Sequence, residues 1–160
     1  MDDAPIGYME RTRHYYRALG YANDYVWSHF DDVPFTRLRK PLAQARVALM
    51  TTASPPDMSN RDADGGWHVW SGAATPPPER LSTDFRAWDR ESTHTEDRES
   101  YLPIAALSAL AADGVIGGVA ARFHCVPTQY SQRQTMEEHA PEILARVRED
   151  GADAALLCAL

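Results

Sequence analysis

The ten residues Gly151-Ala-Asp-Ala-Ala-Leu-Leu-Cys-Ala-Leu160 decide the fold. From Ala154 onward they carry no charge and no polar alternation, the pattern of a β-strand covered on both faces, as in a parallel sheet. Residues 138–150, just upstream, place Ile143, Leu144 and Val147 on one side of an amphipathic helix, and Gly151 stands where a helix C′ glycine belongs. Helix, glycine and apolar strand make half of a right-handed α/β crossover. In open α/β sheets the reactive groups lie beyond the carboxyl ends of the strands, so Leu160 is expected at that rim. A terminal carboxylate on a strand covered on both faces would lie near the interior, where an unpaired charge is costly.

Working outward, 160 residues fit one domain with a core of its own. The net charge of −7 and pI near 5.3 argue against a nucleic-acid or anionic-membrane partner. No apolar run reaches the length of a membrane span and the N-terminus is acidic, which points to a cytoplasmic location. Two cysteines, Cys125 and Cys158, are too few for a disulfide framework.

Residues 46–52, Arg-Val-Ala-Leu-Met-Thr-Thr, read as the first strand. The Ala53-Ser-Pro-Pro56 loop after it lacks the glycines and the N–H donors of a phosphate cradle, so nucleotide binding is not expected. Residues 67–71 read as a second, short strand, and 115–121 as a third, with residues 122–126 as a strand end and loop. Pro103 and Gly114 bracket a helix over 103–112, and Pro141 argues for a kink or two short helices after Ser131. Residues 6–19 form a helix that Gly20 ends. The aromatic segment 21–42, with Tyr25, Trp27 and Phe30, either packs as an arm or lines an aromatic pocket. These elements predict a three-layer α/β domain over 46–160 with a mainly parallel sheet of the Rossmann or flavodoxin-like kind, preceded by an N-terminal helical arm over 1–45.

Residues 84–99 hold the densest run of ionisable side chains. His94 with Asp97 or Glu91 would form an acid–base pair or half a metal site, and a solvated charge run accounts for the same residues. No spacing of a structural zinc site occurs, and no metal is assigned. His124 and Cys125 are neighbours and would point to opposite faces of an extended backbone, so they are no ready-made dyad. A metal-free acid–base site from His94, Asp97 and His124 is one enzymatic reading. Thr51, Thr52, His124 and Leu160 would share the carboxyl rim, with His124 placed to assist chemistry.

Val47-Ala-Leu-Met-Thr-Thr-Ala53, Arg90-Glu-Ser-Thr-His94 with Asp97 and Leu102-Pro103, Leu110-Ala-Ala-Asp-Gly-Val-Ile-Gly117, Arg122-Phe-His124, and Pro141-Glu-Ile143 with Asp150-Gly-Ala-Asp-Ala-Ala-Leu-Leu157 follow one another in an order that resembles the selenoprotein B family of the glycine/sarcosine/betaine/D-proline reductases. The likeness runs from about Val47 to the C-terminus and is nearest to the short, single-domain members. It implies an oxidoreductase acting on X–H and Y–H with a disulfide as acceptor, cleaving a C–N bond reductively. Its reactive selenocysteine, or cysteine in some members, directly follows the last strand, with a second cysteine three positions on. The selenol attacks the α-carbon of an amino-acid derivative held as an imine by a pyruvoyl-bearing partner subunit. A selenol is ionised at neutral pH where a thiol mostly is not, so it is already an activated nucleophile. The resemblance thus implies a small amino-acid-like substrate, a pyruvoyl-bearing or thiol-redox partner, an oligomer, and no cofactor within this chain.

This sequence stops at Leu160, one residue before the reactive position, and Cys158 does not align with it; a buried apolar role is expected for that cysteine. The resemblance leads to the expectation that codon 161 is UGA, followed in frame by a proline- and cysteine-containing loop and a further helix. Under that expectation the 160-residue chain is inactive as a reductase. The alternative is a non-catalytic binding or assembly module of the same fold.

Overall fold

The apolar run Val47-Ala-Leu-Met50 builds the centre of the sheet. β1, Arg46–Thr51, is parallel to β3, Gly118–Cys125, on one side and to β4, Ala154–Cys158, on the other. β2, Trp70–Ala73, pairs antiparallel with β3, giving a mixed four-stranded sheet of order β2-β3-β1-β4. The computed structural model describes residues 5, 7–24, 26, 29–33, 36–85, 95–128 and 131–160. It divides into two units, Met1–Phe35 and Thr36–Leu160, and the second holds the α/β fold.

Alternation along β1 sorts the core. Val47 and Leu49 join Phe123, Cys125, Tyr101, Leu102 and, from helix α2 (Ile104–Ala112), Ile104 and Leu107 in one apolar cluster. Ala48 and Met50 join Ala120, Val69 and, from helix α4 (Ala140–Glu149), Ile143 and Val147 in the other. Glu99 fixes the start of α2, its Oε2 accepting from the Ala105 and Ala106 N–H groups at 2.9 and 3.2 Å, because the first-turn donors of a helix have no partner of their own.

Pro141 has the effect expected of it in modified form. Instead of a break, helix α3 (Gln132–Gln134), capped by Ser131, runs into a π-helical turn over Thr135–His139 and on into α4. A π turn shifts the hydrogen-bond register where the proline supplies no N–H. Gly151 closes α4 at φ 65°, the left-handed conformation of a C′ glycine.

Four expectations are corrected. β4 is an edge strand and is not covered on both faces: Leu156 is 40% and Leu157 52% exposed. Leu160 is 39% exposed, so no terminal charge is buried there and the argument from a buried carboxylate falls. An uncharged run marks a strand without saying how many neighbours it finds. β3 begins three residues later than expected and continues through His124 and Cys125, because Gly117 is taken up by a close crossing: its N–H donates to the Ala45 carbonyl at 2.8 Å, and a Cβ there would meet the Gln44 carbonyl carbon. β2 starts at Trp70 rather than Trp67, whose segment makes only an isolated bridge to Arg61.

In the first unit, helix α1 (Tyr8–Ala18) matches the expected helix, and Arg17 holds Asp24 by two hydrogen bonds of 2.8 and 2.6 Å. Tyr25 and Trp27 of the aromatic segment lie outside the described residues. Among the described residues no helix is long and apolar enough to cross a membrane.

Candidate functional sites at the sheet's carboxyl rim and on its α4 face

The parallel strands end together. Cys125, Thr51 and Cys158 lie side by side across β3, β1 and β4, and the chain leaves each strand at this rim. Two strand spacings of ~4.8 Å separate the cysteines' strands, too far for a disulfide. The Leu160 N–H donates to Thr52 Oγ1 at 2.8 Å, so the half-buried Thr52 anchors the end of β4's extension to the end of β1. Thr51 is fully buried and its Oγ1 accepts from the Ala53 N–H at 3.2 Å, which turns it to shaping the loop rather than facing a ligand. Cys158 packs against the α2-side cluster, and burial pushes its thiol pKa up.

His124 stands at the same end of β3, opposite Met50, but its ring points the other way from Thr51, onto the α4 face, and is fully buried. Both ring nitrogens are engaged. Nε2 lies 3.0 Å from Asp150 Oδ2 and Nδ1 lies 2.8 Å from Ser71 Oγ. Arg122 Nε donates to Asp150 Oδ1 at 2.7 Å, and Arg146 NH1 donates to Ser71 Oγ at 2.7 Å. Burial pushes the His124 pKa below the ordinary histidine value; the Arg122 and Arg146 guanidiniums act in the same direction and Asp150 opposes them.

A neutral ring has one N–H, and this fixes the direction of the chain of hydrogen bonds. The Asp150 carboxylate only accepts, so Nε2 carries the proton. Nδ1 is then an acceptor, the Ser71 hydroxyl donates to it, and the Ser71 oxygen accepts from Arg146. Each hydrogen bond along the line Arg146–Ser71–His124–Asp150–Arg122 thus joins a donor to an acceptor.

The anticipated set therefore separates. Thr52 and Leu160 meet at the rim; Thr51 and His124 are near it in the backbone but closed to it. Asp97 accepts from the Glu99 N–H at 2.9 Å and caps the short 3₁₀ turn Arg98–Ser100, and with both His124 nitrogens occupied there is none for Asp97 to orient. The acid–base set of His94, Asp97 and His124 is thus replaced around His124 by Ser71 and Asp150; His94 lies outside the described residues. Ser71, Arg146 and Asp150 were not singled out from the sequence. Arg146 and Asp150 are four apart, on one helical face beside the apolar pair Ile143 and Val147, and that polar margin was the available signal. Among the described residues no group of three or more His, Cys, Asp or Glu side chains is placed to hold a metal ion.

No protein family, curated protein or solved structure matches this chain.

Proposed function

We propose that this chain is the α/β domain of a selenol- or thiol-dependent reductase subunit of the glycine/sarcosine/betaine/D-proline reductase type, carrying out reductive C–N cleavage on a small amino-acid-like substrate with a pyruvoyl-bearing or thiol-redox partner. In this reading the fold is a three-layer, doubly wound α/β domain in the cytoplasm, with α2 and α4 on its two faces. The ordered resemblance of residues 47–157 supports it, and one structural observation carries the placement of the site: the Leu160 main chain is held by Thr52 at the carboxyl ends of three parallel strands.

The residues present accommodate the reactive group that the resemblance implies. A selenol joined there would supply a nucleophile already ionised at neutral pH. Thr52 orients the backbone that would bear it, and the exposure of Leu160 directs the next position to solvent and a partner rather than into the core. Neither cysteine of the chain substitutes for it. Cys125 is fully buried, and burial holds the Cys158 thiol in its protonated, unreactive form.

The nucleotide sequence after codon 160 tests the proposal. A UGA codon followed in frame by a cysteine-containing loop is expected, together with a longer, selenium-dependent product by mass spectrometry of the native host. A UAA or UAG codon, with a mass ending at Leu160 whether or not selenium is supplied, would leave a non-catalytic binding or assembly module in its place.

A further inference from the structure

We propose that Ser71, His124 and Asp150 form a second, independent catalytic site, an activated serine that attacks carboxylic esters. Its ground-state geometry is that of a nucleophile bound to its base and a base bound to its orienting carboxylate, with hydrogen bonds of 2.8 and 3.0 Å. The imidazole is used with Nδ1 toward the serine and Nε2 toward the aspartate. The roles are unaffected, because either nitrogen of a neutral ring accepts a proton when the other carries one.

Each group has its place for a physical reason. β2 is the edge strand opposite β4, so Ser71 has sheet on one side only, and it is partly exposed while His124 behind it is fully buried. A buried, neutral imidazole is a competent base at neutral pH, and Asp150, only 6% exposed, holds the tautomer that presents the Nδ1 lone pair. Arg146 NH1, 2.7 Å from Ser71 Oγ, puts a positive charge beside the attacking oxygen, where it favours the negative charge that develops as the proton leaves. Arg122 keeps Asp150 turned toward the ring from the far side.

The reaction balances with water as the only co-reactant. Ser71 Oγ bonds to the ester carbonyl carbon as its proton passes to His124 Nδ1. The ester C–O bond then breaks, and the leaving alkoxide takes that proton from Nδ1. Water attacks the acyl-serine in the same way, releasing the carboxylic acid and restoring Ser71. None of these steps uses the rim at Thr52 and Leu160, so this activity stands or falls separately from the reductase reading.

The 160-residue protein is treated with a biotinylated fluorophosphonate at pH 7.5, and the adduct is located by intact mass and peptide mapping; p-nitrophenyl acetate hydrolysis is followed in parallel. The expected result is a single adduct on Ser71 and a hydrolysis rate that labelling abolishes. His124→Gln is expected to slow labelling by about 10²-fold or more, the contribution of a positioned general base. Far-UV circular dichroism confirms that the variant is folded, and if it is not, Ser71→Ala in its place must lose the adduct and the hydrolysis together. The pH profile is a further readout that a purely structural serine would not give. With Asp150 facing the ring from the end of α4, Arg146 from α4, Arg122 from β3 and Ser71 from β2, labelling should persist below pH 6.5 rather than fall with an ordinary histidine. An absence of adduct on Ser71, or a Ser71 adduct formed equally fast in folded His124→Gln, overturns the proposal.

Discussion

Replacing Asp150 by alanine removes the acceptor for two donors at once, Arg122 Nε at 2.7 Å and His124 Nε2 at 3.0 Å. The two donors are not equally affected. The Arg122 side chain is 39% exposed and retains Glu149 at 3.3 Å, so water and that carboxylate recover most of what it loses. His124 is 0% exposed and has no such recourse. Its proton can move to Nδ1 and point at Ser71, but Nε2 is then a buried acceptor without a donor. An unsatisfied buried polar group costs about 1–3 kcal/mol, and the lost charge-assisted bond adds about as much again at most, so Asp150→Ala should cost about 2–4 kcal/mol. That is a large share of the ~5–15 kcal/mol of a typical domain. Asp150→Asn should cost less, about 1–2 kcal/mol, because its amide N–H can donate to Nε2 once the ring adopts the other tautomer. Urea denaturation followed by tryptophan fluorescence measures both; with a slope of about 2 kcal/mol/M the alanine variant's midpoint should fall by about 1–2 M. Nitrogen-15 chemical shifts of the imidazole should show the proton on Nε2 in the native protein and on Nδ1 in Asp150→Asn. An alanine variant within about 0.5 kcal/mol of the native protein, or an asparagine variant as damaging as alanine, would refute the directional hydrogen-bond chain.

Three further outcomes follow from the same packing and hydrogen bonding. Because the His124 pKa is lowered in the folded state, the unfolded chain binds more protons between that lowered value and about 6.5; this site's contribution is therefore lost as pH falls below about 6.5, and urea midpoints at pH 5.5 and 7.5 should differ less in His124→Gln than in the native protein. Gly117→Ala places a Cβ 2.3 Å from the Gln44 carbonyl carbon and 2.8 Å from the Ala45 nitrogen, backbone that cannot move aside without opening the start of β1; a loss of about 3 kcal/mol or more should appear as a thermal-melting shift of several degrees. Titration with a chromogenic disulfide reagent should find Cys125 silent and Cys158 slow in the native protein, with both reacting at once in denaturant, and rapid stoichiometric labelling of Cys158 in the folded chain would contradict its packing.

The helix α2, the strand β1 and the helix–glycine–strand unit at the C-terminus were legible because each is written in local signals: a proline and a glycine at helix ends, an apolar run, a C′ glycine. The partners of each strand were not. Ala154–Cys158 reads as a strand covered on both faces and is a partly exposed edge strand, since the absence of charge reports the chain's own composition and not what lies over or beside it. The rim was half legible. The direction of the parallel strands brings Thr52 and Leu160 together, whereas alternation within β1 and β3 turns Thr51 and His124 to opposite faces and closes both to that rim.

His124 shows most clearly why a residue can be chosen from the sequence while its chemistry is not. The acid–base reading grouped His124 with His94 and Asp97 of the ionisable run, but partners are set by the strand pairing and the crossover. Ser71 lies directly across from His124 in the β2–β3 register, 53 residues away in the chain, and Asp150 arrives at the end of α4, 26 residues away. The Ser71 contact would be lost if β2 shifted along β3 by one residue, because side chains of a strand alternate faces with every step, and the Asp150 contact requires the end of α4 to stay over the same face. The bulge between Val47 and Leu49 in the β1–β3 pairing accommodates two extra residues on β3 and still leaves Arg122 and His124 together on the α4 face. The buried network therefore selects one register and one docking of α4. The same geometry leaves the serine at the sheet's edge with its proton directed at a neutral base.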